Sequence, residues 1–424
     1  MSNTNRPAIE IIPERRLFAS GREQTIDLLI RITPPESEGS AKRPLLNLSL
    51  VLDRSGSMQG EKIARARNAA AYCIDQLLAQ DRVSVVIFDD AIDVLVPSQL
   101  VEDRESIKRA FARVHSRNST ALHEAWVRGG MQVSKHLTES AINRVLLITD
   151  GLANVGETNT DRIVSQAHQL AGRGVTTSTI GIGSDFNEDL LIPMAESAGG
   201  NAWHVKEPSD MERIFATELE GLIAQTGHTV SLGLTPSDGV TVKDVMNDFD
   251  MTHTGRYKLP NMMAGSVIDV VVRLRLPAKS AGQKFQTLDL RLAWNPQSDS
   301  SNRREVITES VTIEFASEDE AARSNSDERV TKAVQLLMAA RARREAMDQI
   351  DKGDVVAAQA IVTGTLRNIA AACAPMMNDS EVVDEMAMLR DLEADFMVAE
   401  DISMSRKKLA YQSYQRSRQS KKLK

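Results

Sequence analysis

A doubly wound, mostly parallel α/β unit inserted into an all-β sandwich and followed by a helical region is the fold class predicted for this 424-residue chain. Three features predict it. From Leu45 to about Gln225, short apolar runs alternate with stretches of helical periodicity, the texture of a parallel sheet covered by helices. On both sides, at 8–33 and 228–316, apolar residues mostly alternate with polar ones, as in antiparallel strands buried on one face. From residue 324 the apolar spacing changes to three and four, that of amphipathic helices.

Taken in order, Ile26, Leu28, Ile30 and Ile32 alternate with Thr25, Asp27, Leu29 and Arg31, a strand pattern. The Pro-, Glu- and Ser-rich stretch 34–44 is a linker by composition. Strands are expected at 46–52, 82–88, 92–96, 144–149, 175–182 and 202–205, with the close pair 82–88 and 92–96 giving the sheet one antiparallel edge. Ile63, Ala66, Ala70, Ile74 and Leu77 share one helix face, and Ile163, Ala167, Leu170 and Ala171 another. Ser209-Asp-Met-Glu212 has the form of a capping box opening a last helix, whose apolar face is Ile214, Phe215, Leu219, Leu222 and Ile223. Further strands follow at Ile268–Leu276, Leu288–Trp294 and Val311–Phe315. Three helical stripes close the chain: Val330, Ala333, Val334, Leu337 and Met338; then Val362, Leu366, Ile369 and Cys373; then Val382, Met386, Leu389 and Phe396. The expected domains are therefore a β-sandwich from 8–33 and 228–316, an inserted unit at 45–225, a helical hairpin or bundle at 324–415, and a basic tail at 416–424.

Composition narrows the function. The net charge of −7 and pI near 5.7 argue against a general nucleic-acid binder. Charge is segregated near the end: 379–401 holds nine acids and one base, while 404–424 holds eight bases and no acid. That contrast predicts a solvated basic end or, more sharply, a contact with the acidic helix or an anionic partner. Cys73 and Cys373 lie in apolar helical patterns and are expected to be core thiols of a reducing compartment. The first residues form no apolar signal core, and no apolar run approaches the roughly 18 residues of a membrane span. A cytoplasmic protein without a membrane partner is expected.

The stretch with chemistry in it is Leu48-Ser-Leu-Val-Leu-Asp-Arg-Ser-Gly-Ser-Met58. An apolar strand ends abruptly in Asp53, Ser55 and Ser57, where open α/β sheets place their ligands. Three hard oxygen donors at alternate positions suit a hard cation. The plainer alternative is a serine-rich turn capping the helix that follows, with Asp53 as its capping acid. Two later segments weaken that alternative: Thr120 precedes a helical pattern, and the buried strand Leu146-Leu-Ile-Thr-Asp-Gly151 ends in Asp150. Neighbouring strands near 46 and 144 would bring Asp53, Ser55, Ser57, Thr120 and Asp150 to one rim.

With those three segments in order, the chain resembles the von Willebrand factor A-type, or integrin I-like, domain family in its bacterial multidomain form. The family's metal-ion-dependent adhesion site (MIDAS) is Asp-x-Ser-x-Ser, a distant Thr, and a distant Asp before Gly. Asp81-Arg-Val-Ser-Val-Val-Ile-Phe-Asp89 and Ile148-Thr-Asp-Gly-Leu-Ala-Asn-Val-Gly-Glu157 also look like that branch. The resemblance covers roughly 45–225. It implies that the hydroxyls of Ser55, Ser57 and Thr120 bind the ion, with Asp53 and Asp150 acting through water or through those hydroxyls. One departure is Asn118-Ser119 before Thr120, where the family often has Gly-Gly or Ser-Gly. Neutral donors leave much of a dication's charge uncompensated, so a partner's Asp or Glu carboxylate can complete its shell. Mg²⁺ suits such an oxygen site, and Mn²⁺ is compatible with it. The implied function is a non-enzymatic, cation-dependent protein-interaction adaptor. The implied partners are an ATP-driven remodelling machine or a kinase or phosphatase system.

The rival reading is a Mg²⁺-dependent hydrolase or phosphatase on an α/β fold. A haloacid-dehalogenase-type site needs a second acid two residues after Asp53, where Ser55 stands. His123-Glu124 starts a zincin-like motif that fails at Val127, and Ser57 lacks the Gly two residues before it that a nucleophile elbow needs, since Ser55 stands there. Gly181-Ile-Gly183 begins a dinucleotide-type loop that lacks its third glycine and comes too late in the unit. Asp89 and Asp90 are expected as turn residues, and Asn154 as a neighbour of the rim.

Overall fold

The computed structural model describes residues 6–36, 43–116, 120–139, 141–151, 155–183, 186–297, 303–398 and 402–418. The chain opens with strands β1 (Ala8–Pro13), β2 (Leu17–Ala19) and β3 (Gln24–Thr33). Next come β4 (Leu45–Asp53), α1 (Glu61–Gln76), β5 (Arg82–Phe88), β6 (Ile92–Leu100), α2 (Arg104–Phe111), α3 (Leu122–Ser134) and β7 (Ala141–Thr149). They are followed by α4 (Thr160–Gly172), β8 (Thr176–Ile182), α5 (Glu188–Ser197), β9 (Gly199–Val205) and α6 (Met211–Ile223).

Strands β4 to β9 form one sheet in the order β6-β5-β4-β7-β8-β9. All pairs are parallel except β5 with the edge strand β6. Strand β4 is central, and the strand order reverses between it and β7. Leu48, Leu50 and Leu52 pack to one side with residues of α1, α2 and α6. Val51, Val145 and Leu147 pack to the other with α3, α4 and α5. Burial on both faces explains why β4 reads as an almost unbroken apolar run. Helix α3 lies very close to β4: a methyl group on Gly129 would come within 2.4 Å of Val51 Cγ2. Only glycine permits that approach.

The expected capping box at Ser209 does not form. Residues Pro208–Asp210 make a short 3₁₀ turn, and α6 starts at Met211 without a side-chain cap. Pro208 just before the serine favours the tight turn over a capped start. The helix face is nonetheless the expected one, with Ile214, Phe215, Leu219 and Leu222 buried.

After this unit come β10 (Gln225–Pro236), β11 (Thr241–Val245), β12 (Tyr257–Lys258), β13 (Met262–Met263), β14 (Ile268–Leu276), β15 (Lys284–Pro296) and β16 (Glu305–Ala316). Two sheets result, β1-β3-β14-β11 and β12-β10-β15-β16-β2, with β13 also pairing β10. Ile26, Leu28, Ile30 and Ile32 of the first share a core with Leu288, Leu290, Leu292 and Ile313 of the second. Strand β3 pairs antiparallel with β14 over nine residues, from Ile32 opposite Ile268 to Gln24 opposite Leu276. Two ion pairs, Arg31–Asp269 at 2.7 Å and Arg273–Asp27 at 2.8 Å, link directly opposed residues of this pair.

Helices α7 (Glu318–Arg323), α8 (Glu328–Asp351), α9 (Val355–Ala372), α10 (Ser380–Val398) and α11 (Ile402–Arg418) complete the chain. Ser317 and Glu320 form a capping box at the start of α7. Val330, Val334 and Leu337 of α8 pack on Ile12, Leu29, Met246 and Val271 of the four-stranded sheet. Leu29, expected on a polar face, is therefore fully buried under a helix. Met338, expected in the same stripe, is exposed, because α8 turns its other side to the later helices. Contrary to the expectation that no stretch approaches a membrane span, α9 is long and apolar enough, by length and composition, to cross one. It puts Ala358, Val362 and Ile369 into the core shared by α8 to α11. The basic segment is helical over 402–418 and pairs with its acidic neighbour, Arg416 with Glu385 at 2.8 Å and Lys408 with Asp395. Residues 419–424 of the expected tail lie outside the described residues.

The Glu385 carboxylate is fully buried between Arg343 at 2.6 Å and Arg416. Burial alone would raise its pKa, but the two guanidinium groups outweigh burial and hold it below the ordinary carboxylate range. Removing the acid would leave Arg343 buried and uncompensated. Glu385→Ala is expected to destabilise the protein by about 3–5 kcal/mol in urea titrations followed by circular dichroism. A loss near zero would show that the triad is not a structural pair.

Candidate metal centre

The rim at the C-terminal ends of β4 and β7 is assembled from three segments. Asp53 is the last residue of β4, and its carboxylate is completely buried. It accepts the Ser55 backbone N–H at 2.8 Å on Oδ1 and the Thr149 hydroxyl at 2.5 Å on Oδ2. The chain then makes a 3₁₀ turn over Gly56–Met58, with Met58 buried beneath it. Ser55 is buried and Ser57 exposed, and their hydroxyl oxygens lie 3.1 Å apart. Ser57 donates to Asp150 Oδ1 at 2.7 Å. Asp150 follows the end of β7 and is also completely buried.

Thr120 reaches the same rim from the loop before α3. The backbone N–H of Ala121 donates to the Asp89 carbonyl at 2.8 Å, which fixes the loop against the end of β5. Gly151 marks the convergence. A methyl group there would lie 3.4 Å from Thr120 Oγ1 and 3.8 Å from both Asp53 Oδ2 and Ser57 Oγ. All five predicted residues are thus gathered around one small cradle. Asn118, Ser119 and Asn154 lie outside the described residues.

The plainer alternative for the first motif does not fit. Helix α1 begins at Glu61 with Gly60 in the capping position and no side-chain cap. Asp53 spends its oxygens on Ser55 and Thr149 instead. Among the described residues, no three His, Cys, Asp or Glu side chains converge as a metal cluster. A site here is built from hydroxyls with two supporting carboxylates. That all-oxygen set fits a hard divalent cation.

Three contributors escaped the sequence reading. Thr149 belongs to an apolar run in the sequence, and its polar side chain at the last position of β7 is the signal that marks it. Lys62 places Nζ 2.5 Å from Asp150 Oδ2. Arg54, the variable residue of the motif, is buried with its guanidinium 3.0 Å from Asp89 and 2.6 Å from Asp93. Asp89 is a turn residue as expected, accepting the Ala91 N–H at 2.8 Å, but it also ties the motif to the neighbouring strand.

Residues 47–217 match the family model of the von Willebrand factor type A domain, a family known for metal-dependent protein interactions. An uncharacterized protein of Synechocystis is 29% identical over 205 residues, which is 48% of this chain and 48% of that protein. Human inter-alpha-trypsin inhibitor heavy chain H4 is 25% identical over 220 residues, 49% of this chain and 23% of that protein. The matches thus span less than half the length of these relatives. Among solved structures, a von Willebrand factor type A protein from Catenulispora acidiphila superposes with a TM-score of 0.69 at 19% identity, covering 95% of this chain and 98% of its own. The ArnB paralog VWA2 from Sulfolobus acidocaldarius does so with a TM-score of 0.61 at 18% identity, covering 98% of each. These two likenesses are of fold, and they extend over nearly the whole chain.

Burial pushes the Asp53 carboxyl up to about 6, against the hydrogen bonds from Thr149 and Ser55 that lower it, and Asp150 adds to the rise. Its folded pKa exceeds the unfolded one, so the cation-free protein loses stability as pH rises from about 4 towards 6. A cation favours the ionised form and must displace this proton wherever the pH lies below about 6. The apparent Mg²⁺ affinity, read from calorimetry, is therefore expected to be flat from about pH 7.5 to 6.5 and to fall about tenfold per unit below pH 6. Thr149→Val should weaken binding at every pH. A flat profile down to pH 5 would show that Asp53 does not serve the cation.

Proposed function

We propose that this chain, whose residues 47–217 form a von Willebrand factor type A domain, is a non-enzymatic adaptor that holds a protein partner through a divalent cation. Ser55, Ser57 and Thr120 would ligate the ion through their hydroxyls. Asp53 and Asp150 would orient those hydroxyls and supply negative charge. Mg²⁺ is the proposed ion, with Mn²⁺ compatible, and an Asp or Glu side chain of the partner is the proposed last ligand. The observation that carries this reading is the cradle itself: five oxygen-bearing side chains converge, and the Ser57 edge is open to solvent.

A Mg²⁺-dependent hydrolase is the weaker alternative. Where a haloacid-dehalogenase-type site needs its second acid, the Ser55 hydroxyl is engaged with Ser57. The partner is proposed to belong to an ATP-driven machine or to a kinase or phosphatase system, as the family resemblance implies. A cytoplasmic setting is part of the proposal and is supported by two buried, unbridged cysteines, Cys73 and Cys373.

Affinity capture from native lysate tests the proposal, comparing Mg²⁺, EDTA, and the variants Asp53→Ala and Ser57→Ala. A partner is expected in Mg²⁺ and lost from the other three samples. Equal retention in all four would sink the metal-bridged mode. Phosphoester turnover by the purified protein, abolished in Asp53→Ala, would support the hydrolase instead.

A further inference from the structure

Lys62 stands on the first turn of α1, one short turn after Ser57. Its ammonium reaches Asp150 Oδ2 at 2.5 Å, while Asp150 Oδ1 accepts the Ser57 hydroxyl at 2.7 Å. One carboxylate is thus shared between a fixed cation and a proposed metal ligand. The end of the lysine also lies beside the turn after β8: a methyl group on Gly183 would be 3.6 Å from both Lys62 Cε and Nζ. Its side chain is only 24% exposed, so water screens the pair incompletely.

The charges around the cradle can be counted. Asp53 and Asp150 contribute two negative charges and are both fully buried. Arg54 is already neutralised by the equally buried Asp89, and its second partner, Asp93, is 56% exposed and screened by solvent. A bound dication balances Asp53 and Asp150. Lys62 is left over, and the loaded centre carries one net positive charge.

We infer that Lys62 is a built-in counter-charge that weakens the grip on the metal and, once the metal is bound, makes the centre recruit an anionic carboxylate from outside. This inference rests on the proposed metal-bridged function. It adds that selectivity for an acidic partner comes from a lysine of this chain as well as from the ion. Two effects of opposite sign follow. Removing the positive charge strengthens metal binding, because a cation no longer competes for Asp150. It also weakens the added hold on a carboxylate, because the loaded centre becomes neutral. A lysine serving only to stabilise the fold would not move these two quantities in opposite directions.

The test uses the full chain and its Lys62→Met and Lys62→Arg variants. Mn²⁺ binding is followed at pH 7.5 by electron paramagnetic resonance, with acetate or chloride at equal ionic strength and matched free Mn²⁺. Wild type should bind Mn²⁺ more tightly with acetate than with chloride. Lys62→Met should bind Mn²⁺ at least about fivefold more tightly in chloride and lose most of the acetate enhancement. Lys62→Arg, which keeps the charge, should stay within about twofold of wild type on both readouts. Unchanged or weaker Mn²⁺ binding in Lys62→Met would overturn the inference, as would a retained acetate enhancement. Failure of wild type itself to bind Mn²⁺ would remove the metal reading as well, a different result from either of these.

Discussion

A buried carboxylate at the end of the central strand is the constraint around which the α/β unit is arranged. Asp53 lies where water cannot reach it, so each of its oxygens needs a donor. One donor comes from its own chain two residues on, and the other from Thr149 of the adjacent parallel strand. That second bond exists only if β4 and β7 lie side by side with Leu52 opposite Ile148. The register that buries the aliphatic core on both faces is therefore the one that satisfies Asp53. Thr149 also accepts the Gly151 N–H at 3.1 Å, so the same hydroxyl shapes the turn that carries Asp150.

Most of this unit was legible in the sequence because its signals are local. An apolar run cut off by Asp53 marks both a strand and its functional end, and Leu146–Gly151 repeats the pattern. The helix faces of α1 and α6 could be read from spacing alone. What was not legible depended on pairing across the chain. Thr149 looks like any strand residue until β4 is its neighbour. Arg54 occupies a motif position open to any residue, and its value lies in meeting Asp89. Lys62 resembles an ordinary residue of a helix's first turn. The box at Ser209 failed for a local reason, since the preceding proline drew the chain into a tight turn.

Outside that unit, period-two patterning predicted strands correctly but misjudged what covers them. The alternation gives strand β3 one apolar face, yet the strand buries both. Ile26, Leu28, Ile30 and Ile32 face the second sheet, and Leu29 faces α8. The charged residues of the same strand are accommodated by register, since Arg31 meets Asp269 and Asp27 meets Arg273 directly across the ladder. The acidic and basic helices near the end behave alike: a contrast in composition becomes a set of interhelical pairs.

Asp89 joins parts of the rim that are distant in sequence. Its carbonyl anchors the approach to Thr120, its carboxylate holds Arg54 beside Asp53, and it closes its own turn through Ala91. The short link between β5 and β6 is thus a structural keystone that contributes none of the five cradle side chains. Sequence drift in that link is constrained by the shape of the cradle, so a map of tolerated substitutions should show an intolerant spot there. A comparison restricted to the metal-site residues would overlook it.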